Sequence, residues 1–156
     1  MSAPAPPSPV PDVPSSAPRP SPLDHLDQLL DSVLEVRAAT GDAVVVTVRG
    51  PLDQRSERTA RATMTAAAST ATGPVVVVLD DAFVDFRGLG VLLGVARTCR
   101  RRGHMLRLVG APPSLRTMCA ALGVRNCWWE FESAVEALVP RPAEEAEQLR
   151  QETRHD

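Results

Sequence analysis

Val75 to Leu79 is an unbroken run of five apolar residues, four of them Val. β-branched side chains with no polar alternation predict a strand covered on both faces, as in a sheet flanked by helices. Upstream, Leu34–Ala39 and Ala43–Arg49 read as two strands joined by a turn at Thr40-Gly41-Asp42, a hairpin closed off by Gly50-Pro51. Gln54 to Ser69 favours a helix with Ala60, Met64, Ala67 and Ala68 on one face. Leu89, Leu92, Leu93 and Ala96 recur at helical spacing after Arg87, and Gly103 is placed to end that helix. Met105–Val109 predicts another strand. Ser114 is positioned to cap a helix bearing Leu115, Met118, Cys119 and Leu122, stopped by Gly123. A short strand near Cys127–Phe131 and a last short helix opened by the capping box Ser133–Glu136 complete the pattern. A short helix over Leu23–Leu30 precedes it all. Alternating strands and helices around central apolar strands predict an α/β fold with a mixed sheet.

The two ends break this periodicity. Residues 1–22 hold nine of the 15 Pro and predict an extended, disordered Pro/Ser/Ala-rich tail. Residues 141–156 are helix-prone and charged, with almost no apolar face, and predict a frayed or disordered C-terminal tail. The domain is therefore expected over residues 23–140.

The loop after the apolar run reads Asp80-Asp-Ala-Phe-Val-Asp85, then Phe86-Arg87-Gly88-Leu89-Gly90-Val91-Leu92-Leu93. Asp85 and the residues after it keep the frame Asp-x-x-Gly-Leu-Gly, and a second landmark, Gly50-Pro51-Leu52-Asp53, follows the second strand. On these residues the chain resembles the STAS family, the anti-anti-sigma factors (anti-sigma factor antagonists) of bacteria, over about Leu34 to Leu138. The resemblance implies a STAS-like mixed β-sheet of four to five strands packed with about four helices. It also implies a partner-binding edge formed by Asp53, Asp85, Phe86, Arg87, Gly88 and Leu89. Members of the family usually carry two hydroxyl residues where Phe86 and Arg87 stand, and the second is the phosphoacceptor. Arg87 occupies that position here and is not phosphorylatable.

Composition narrows the chemistry. A net charge of −2 does not suggest a general nucleic-acid binder. All 17 basic residues are Arg. A phosphoacceptor receiver domain would need a Lys beside its carboxylates, so Asp80, Asp81 and Asp85 do not read as a magnesium site; Asp80 and Asp81 read as capping and solvating groups, and Asp85 is the exception, since it matches a position of the family motif. Asp85 or Asp53 is placed to pair with Arg87, offsetting the ~0.3–1 kcal/mol cost of a cation in a helix's first turn. Cys99, Cys119 and Cys127 are scattered, with no CxxC spacing, and read as plain thiols. His25, His104 and His155 lie far apart in sequence and suggest neither a metal site nor a triad. Gly88-Leu89-Gly90 is too short for a dinucleotide fingerprint. Arg97 and Arg100–Arg102 read as a solvated helix end. Of Trp128 and Trp129, one is expected in the core and the other at a contact surface. The N-terminus lacks the charged and apolar regions of a signal peptide, and no apolar run approaches the ~20 residues of a membrane span. The expectation is a cytoplasmic, non-enzymatic binding protein with no catalytic residues, no metal, no cofactor and no direct nucleic-acid or membrane partner. By resemblance, its partner is an anti-sigma factor of the histidine-kinase-like ATPase type. A homodimer remains open, as do a small-molecule or nucleotide sensor using Arg87 and a structural subunit of a larger assembly.

Overall fold

The computed structural model describes residues 2–7, 34–39 and 42–154. The helix expected over Leu23–Leu30 and most of the 1–22 tail lie outside these residues. β1 (Leu34–Ala38) and β2 (Val44–Val48) form the antiparallel hairpin, closed by Ala39 N donating to Ala43 O at 2.8 Å. α1 (Glu57–Thr70), β3 (Val75–Val78), α2 (Phe86–Arg101), β4 (Leu106–Val109), α3 (Pro113–Ala121) and β5 (Trp128–Phe131) follow. The short α4 (Ala134–Ala137) and α5 (Pro142–Thr153) end the chain. The sheet runs β1-β2-β3-β4-β5, parallel from β2 onward.

Three successive parallel crossovers that advance in one direction put α1, α2 and α3 on the same face, because each crossover is right-handed. Val46, Val48, Val75, Val77, Leu106 and Leu108 point into that layer and meet Ala60, Met64, Leu89, Leu92, Val95 and Leu115 in one buried core. The four α1 residues expected to share a face are the four it buries. On α2 the buried stripe is wider than expected: Val91, Val95 and Cys99 join it, while Leu93 stays half-buried. Gly103, at φ 82°, ends α2 as expected. The opposite sheet face carries a smaller cluster, Val76, Val109 and Ala137, under α4.

Three expectations are corrected. Pro112, not Ser114, opens α3, because Pro113 suits the first helical position, where no N–H is needed. Residues 142–153 are a helix rather than a frayed tail. Glu145, on α5, is buried and pairs with the equally buried Arg107 of β4 at 3.2 Å. A helix anchored by charge has no apolar stripe to reveal it. Neither tryptophan is exposed. Trp128 is half-buried against the main core, and Trp129 lies on the other face with its ring 5.7 Å from the Arg107 guanidinium. Among the described residues no helix is long and apolar enough to cross a membrane.

Candidate functional site

Two loops at the C-terminal ends of β2 and β3 are stitched into one edge. Leu52 N donates to Phe83 O at 2.8 Å, and Asp85 N donates back to Leu52 O at 3.1 Å, forming an isolated parallel bridge between Leu52 and Val84. Asp80 and Asp81 turn the chain after β3 with φ of 45° and 59°, and Ala82 N donates to Leu79 O at 2.8 Å. Asp tolerates this left-handed region better than most residues, which is why two of them sit there. They form a turn and do not converge with Asp85. Among the described residues no group of three metal-ligating side chains forms.

Asp85 caps α2: its Oδ1 accepts from Gly88 N at 2.9 Å. Asp53 does the same for the approach to α1, accepting from Arg55 N at 2.9 Å and Ser56 N at 3.2 Å. Ser56 locks this turn by accepting from Asp53 N at 3.0 Å and donating to Pro51 O at 2.7 Å. Both carboxylates thus shape the edge through their Oδ1 atoms. The Gly in the Asp-x-x-Gly frame has a direct cause as well. A Cβ at position 88 would stand 2.2 Å from Leu52 O, so only Gly lets the helix start against the neighbouring loop.

Leu89 is 1% exposed and Gly88 is buried, so neither offers a side chain to a partner. Phe86 and Arg87 do. Phe86 is 61% exposed, and the Arg87 side chain is equally open. Arg87 does not pair with Asp85 or Asp53, whose Oδ1 atoms cap the two turns. It reaches Glu57 in the first turn of α1 at 3.2 Å, and Glu57 also holds Arg61 at 3.1 Å. Two residues of this edge carry no clear sequence signal. Glu57 falls within the α1 pattern with nothing to single it out. Phe83, on the other side of Asp85, is 64% exposed. The available signal was that two of the chain's three Phe fall within one acidic loop. Phe83 borders a cleft of about 430 Å³ lined by Arg49, Pro51, Leu79 and Asp80.

The chain is thus an α/β domain, a mixed sheet with three helices on one face, and its exposed Phe83, Phe86 and Arg87 lie along one loop edge. A family model described as "Mlab, STAS domain" matches residues 35–139. The chain belongs to the STAS domain family. It is 32% identical over 117 residues to the provisionally named anti-anti-sigma factor Rv2638 of Mycobacterium tuberculosis, covering 71% of this chain and 79% of that protein. It is 34% identical over 84 residues to the anti-sigma-F factor antagonist RsfA of the same species, covering 52% of this chain and 66% of RsfA. The fold matches that of the anti-sigma factor antagonist SpoIIAA in its unphosphorylated form with a TM-score of 0.53 at 21% identity, over 67% of this chain and 92% of SpoIIAA.

Proposed function

We propose that this chain is a non-enzymatic anti-sigma factor antagonist. It acts in the cytoplasm by binding an anti-sigma factor of the histidine-kinase-like ATPase type, and position 87 carries no phosphorylation switch. The names of its relatives support an anti-sigma factor as the partner. One observation carries the choice of surface: Phe83 and Phe86, 64% and 61% exposed, flank the capped loop that ends in Arg87. Phe is ordinarily buried, and an aromatic pair left open beside an Arg has the composition of an interface hot spot. The hydrogen-bonded loop pair beneath holds the three side chains on a rigid base, which lowers the ordering cost of binding.

Calorimetric titration of the host's kinase-like anti-sigma factors into the purified protein tests this reading. Phe83→Ala/Phe86→Ala should weaken binding by roughly thirtyfold, the equivalent of about 2 kcal/mol for hot-spot residues. Unchanged affinity in that variant, or no binding by the parent protein, would defeat it.

A further inference from the structure

α1 and α2 pack side by side, and between their outer faces runs an open trough of about 1000 Å³. Arg58 and Arg61 line it from α1, and Arg87, Arg97 and Arg101 from α2. Five of the chain's 17 basic residues therefore meet on one surface of a protein whose net charge is −2. One carboxylate stands against these five guanidinium groups. It is Glu57, already bound to Arg61 and Arg87 at 3.1 and 3.2 Å. Arg58, Arg97 and Arg101 are exposed and make no ion pair among the described residues. Their neighbours Arg100 and Arg102 are tied down, the first to Glu152 at 2.9 Å and the second to Ala71 O at 3.2 Å.

Uncompensated like charge along a helix pair costs stability and creates a positive field that attracts an anionic partner. The chain has no Lys, so the use of Arg carries no information; the clustering does. The trough holds no aromatic side chain on which a base could stack. Small residues, Ala62, Ala66 and Gly94, line its floor, and the Arg61 guanidinium reaches across to within 3.5 Å of where a Cβ at Gly94 would stand. From Arg87 to Arg101 the rise is ~21 Å, the length of a helix of about 15 residues. The cationic stripes sit at helical spacing on both walls, so a third helix lying along them would present carboxylates at matching intervals.

We infer that this trough docks an acidic helical segment of a protein, with its carboxylates on Arg58, Arg97 and Arg101 and its small side chains on the Ala/Gly floor. The inference rests on the protein-binding reading of the adjoining Phe83–Arg87 edge, because Arg87 belongs to both surfaces. A partner seated on the aromatic edge would extend its acidic segment down the trough.

The test is fluorescence anisotropy of the full-length protein with a labelled alanine-based helical peptide of about 15 residues bearing Glu at i, i+4 spacing. Its Gln counterpart and a single-stranded DNA of similar charge serve as comparison probes. Saturable binding of the Glu peptide, weakened about tenfold or more in Arg97→Glu/Arg101→Glu and weakened by added salt, supports the inference. The neutral variant Arg97→Gln/Arg101→Gln should fall between, and both variants should keep the parent's circular dichroism melt. Equal binding of the Gln peptide, no effect of the Arg substitutions, or tighter binding of the DNA would overturn it. Phe83→Ala/Phe86→Ala should leave peptide affinity unchanged, since it lies off the trough. Failure of the trough is therefore read from the peptide, and failure of the edge from the anti-sigma factor titration.

Discussion

Arg107 and Glu145 are 3.2 Å apart, with side chains only 1% and 8% exposed. Arg107 also donates to the carbonyls of Ala137 and Val139 at 2.7 Å each, and Glu145 accepts from Met105 N at 3.2 Å. The pair thus ties α5 and the end of α4 to the inner strand β4. A buried pair adds little over an apolar replacement, but removing one partner strands the other's charge at a cost of about 3–5 kcal/mol. Glu145→Ala should lower unfolding stability by that amount in urea, and a chain ending at residue 140 should lose at least as much. Arg107→Met/Glu145→Leu should come close to the parent. A Glu145→Ala loss below ~1 kcal/mol would show that α5 is not part of the folded unit.

Strands and helices with apolar faces were legible because burial imposes a period: Val75–Leu79 and the Ala60/Met64/Ala67/Ala68 stripe needed no structure to be found. The Asp85–Gly90 frame pointed to the candidate edge through its resemblance to a family motif; its Asp cap follows a local rule, whereas the need for Gly at position 88 comes from Leu52 in another loop. What stayed hidden depends on contacts distant in sequence. Arg107 sits in an alternating strand pattern that says nothing of its partner 38 residues later. Arg87 pairs across 30 residues with Glu57, and the trough exists only once α1 lies against α2. The outward position of Phe83 follows from the turn at Asp80-Asp81.

Gly88 and Gly90 should respond oppositely to the same substitution. A Cβ at Gly88 would overlap the Leu52 carbonyl at 2.2 Å, a backbone atom in a loop fixed by two hydrogen bonds. Gly88→Ala should cost about 1–3 kcal/mol or more and loosen the edge. At Gly90 the nearest atom is the tip of Arg61 at 4.0 Å, so Gly90→Ala should gain about 0.5–1 kcal/mol from helix propensity. Paired thermal melts check both signs.

Alkaline stability should report on a single buried thiol. Burial pushes Cys99 from the ordinary 9.0 up to about 12, with the Glu145 charge adding to the effect. The unfolded chain releases this proton near pH 9, while the folded chain holds it. The unfolded state therefore binds fewer protons between pH 9 and 12, and stability falls as pH rises, by up to ~1.4 kcal/mol per unit. The chain has no Lys and no Tyr, and burial also raises the half-buried Cys119 thiol, so Cys99 is isolated by comparing the parent with its Ala variant. Urea melts from pH 8.5 to 11 should slope downward for the parent and less steeply for Cys99→Ala. Equal slopes would exclude Cys99 as the source.

Arg87 separates binding from stability and from phosphorylation. Its pair with Glu57 is exposed, and such pairs contribute about 0–1 kcal/mol, so Arg87→Glu should move the melting temperature by only a few degrees. The same change reverses charge at the point where the aromatic edge meets the trough. It should weaken association with the anti-sigma factor by roughly tenfold or more, mainly through the off-rate if the side chain is buried in the complex. No residue from Asp80 to Leu93 carries a hydroxyl. A partner kinase with ATP should therefore leave this loop at its unmodified mass. Arg87→Ser puts a hydroxyl in the first turn of α2, beside the Asp85 cap, where a phosphate adding about −1.5 to −2 charge would favour the helix N-terminus but oppose Glu57. Intact-mass analysis should show no phosphate on this loop in the parent and a gain of one in Arg87→Ser. If Arg87→Glu binds as tightly as the parent at physiological salt, the Phe83–Arg87 edge is not the interface. If the parent's loop is phosphorylated, the absence of a switch at position 87 is refuted.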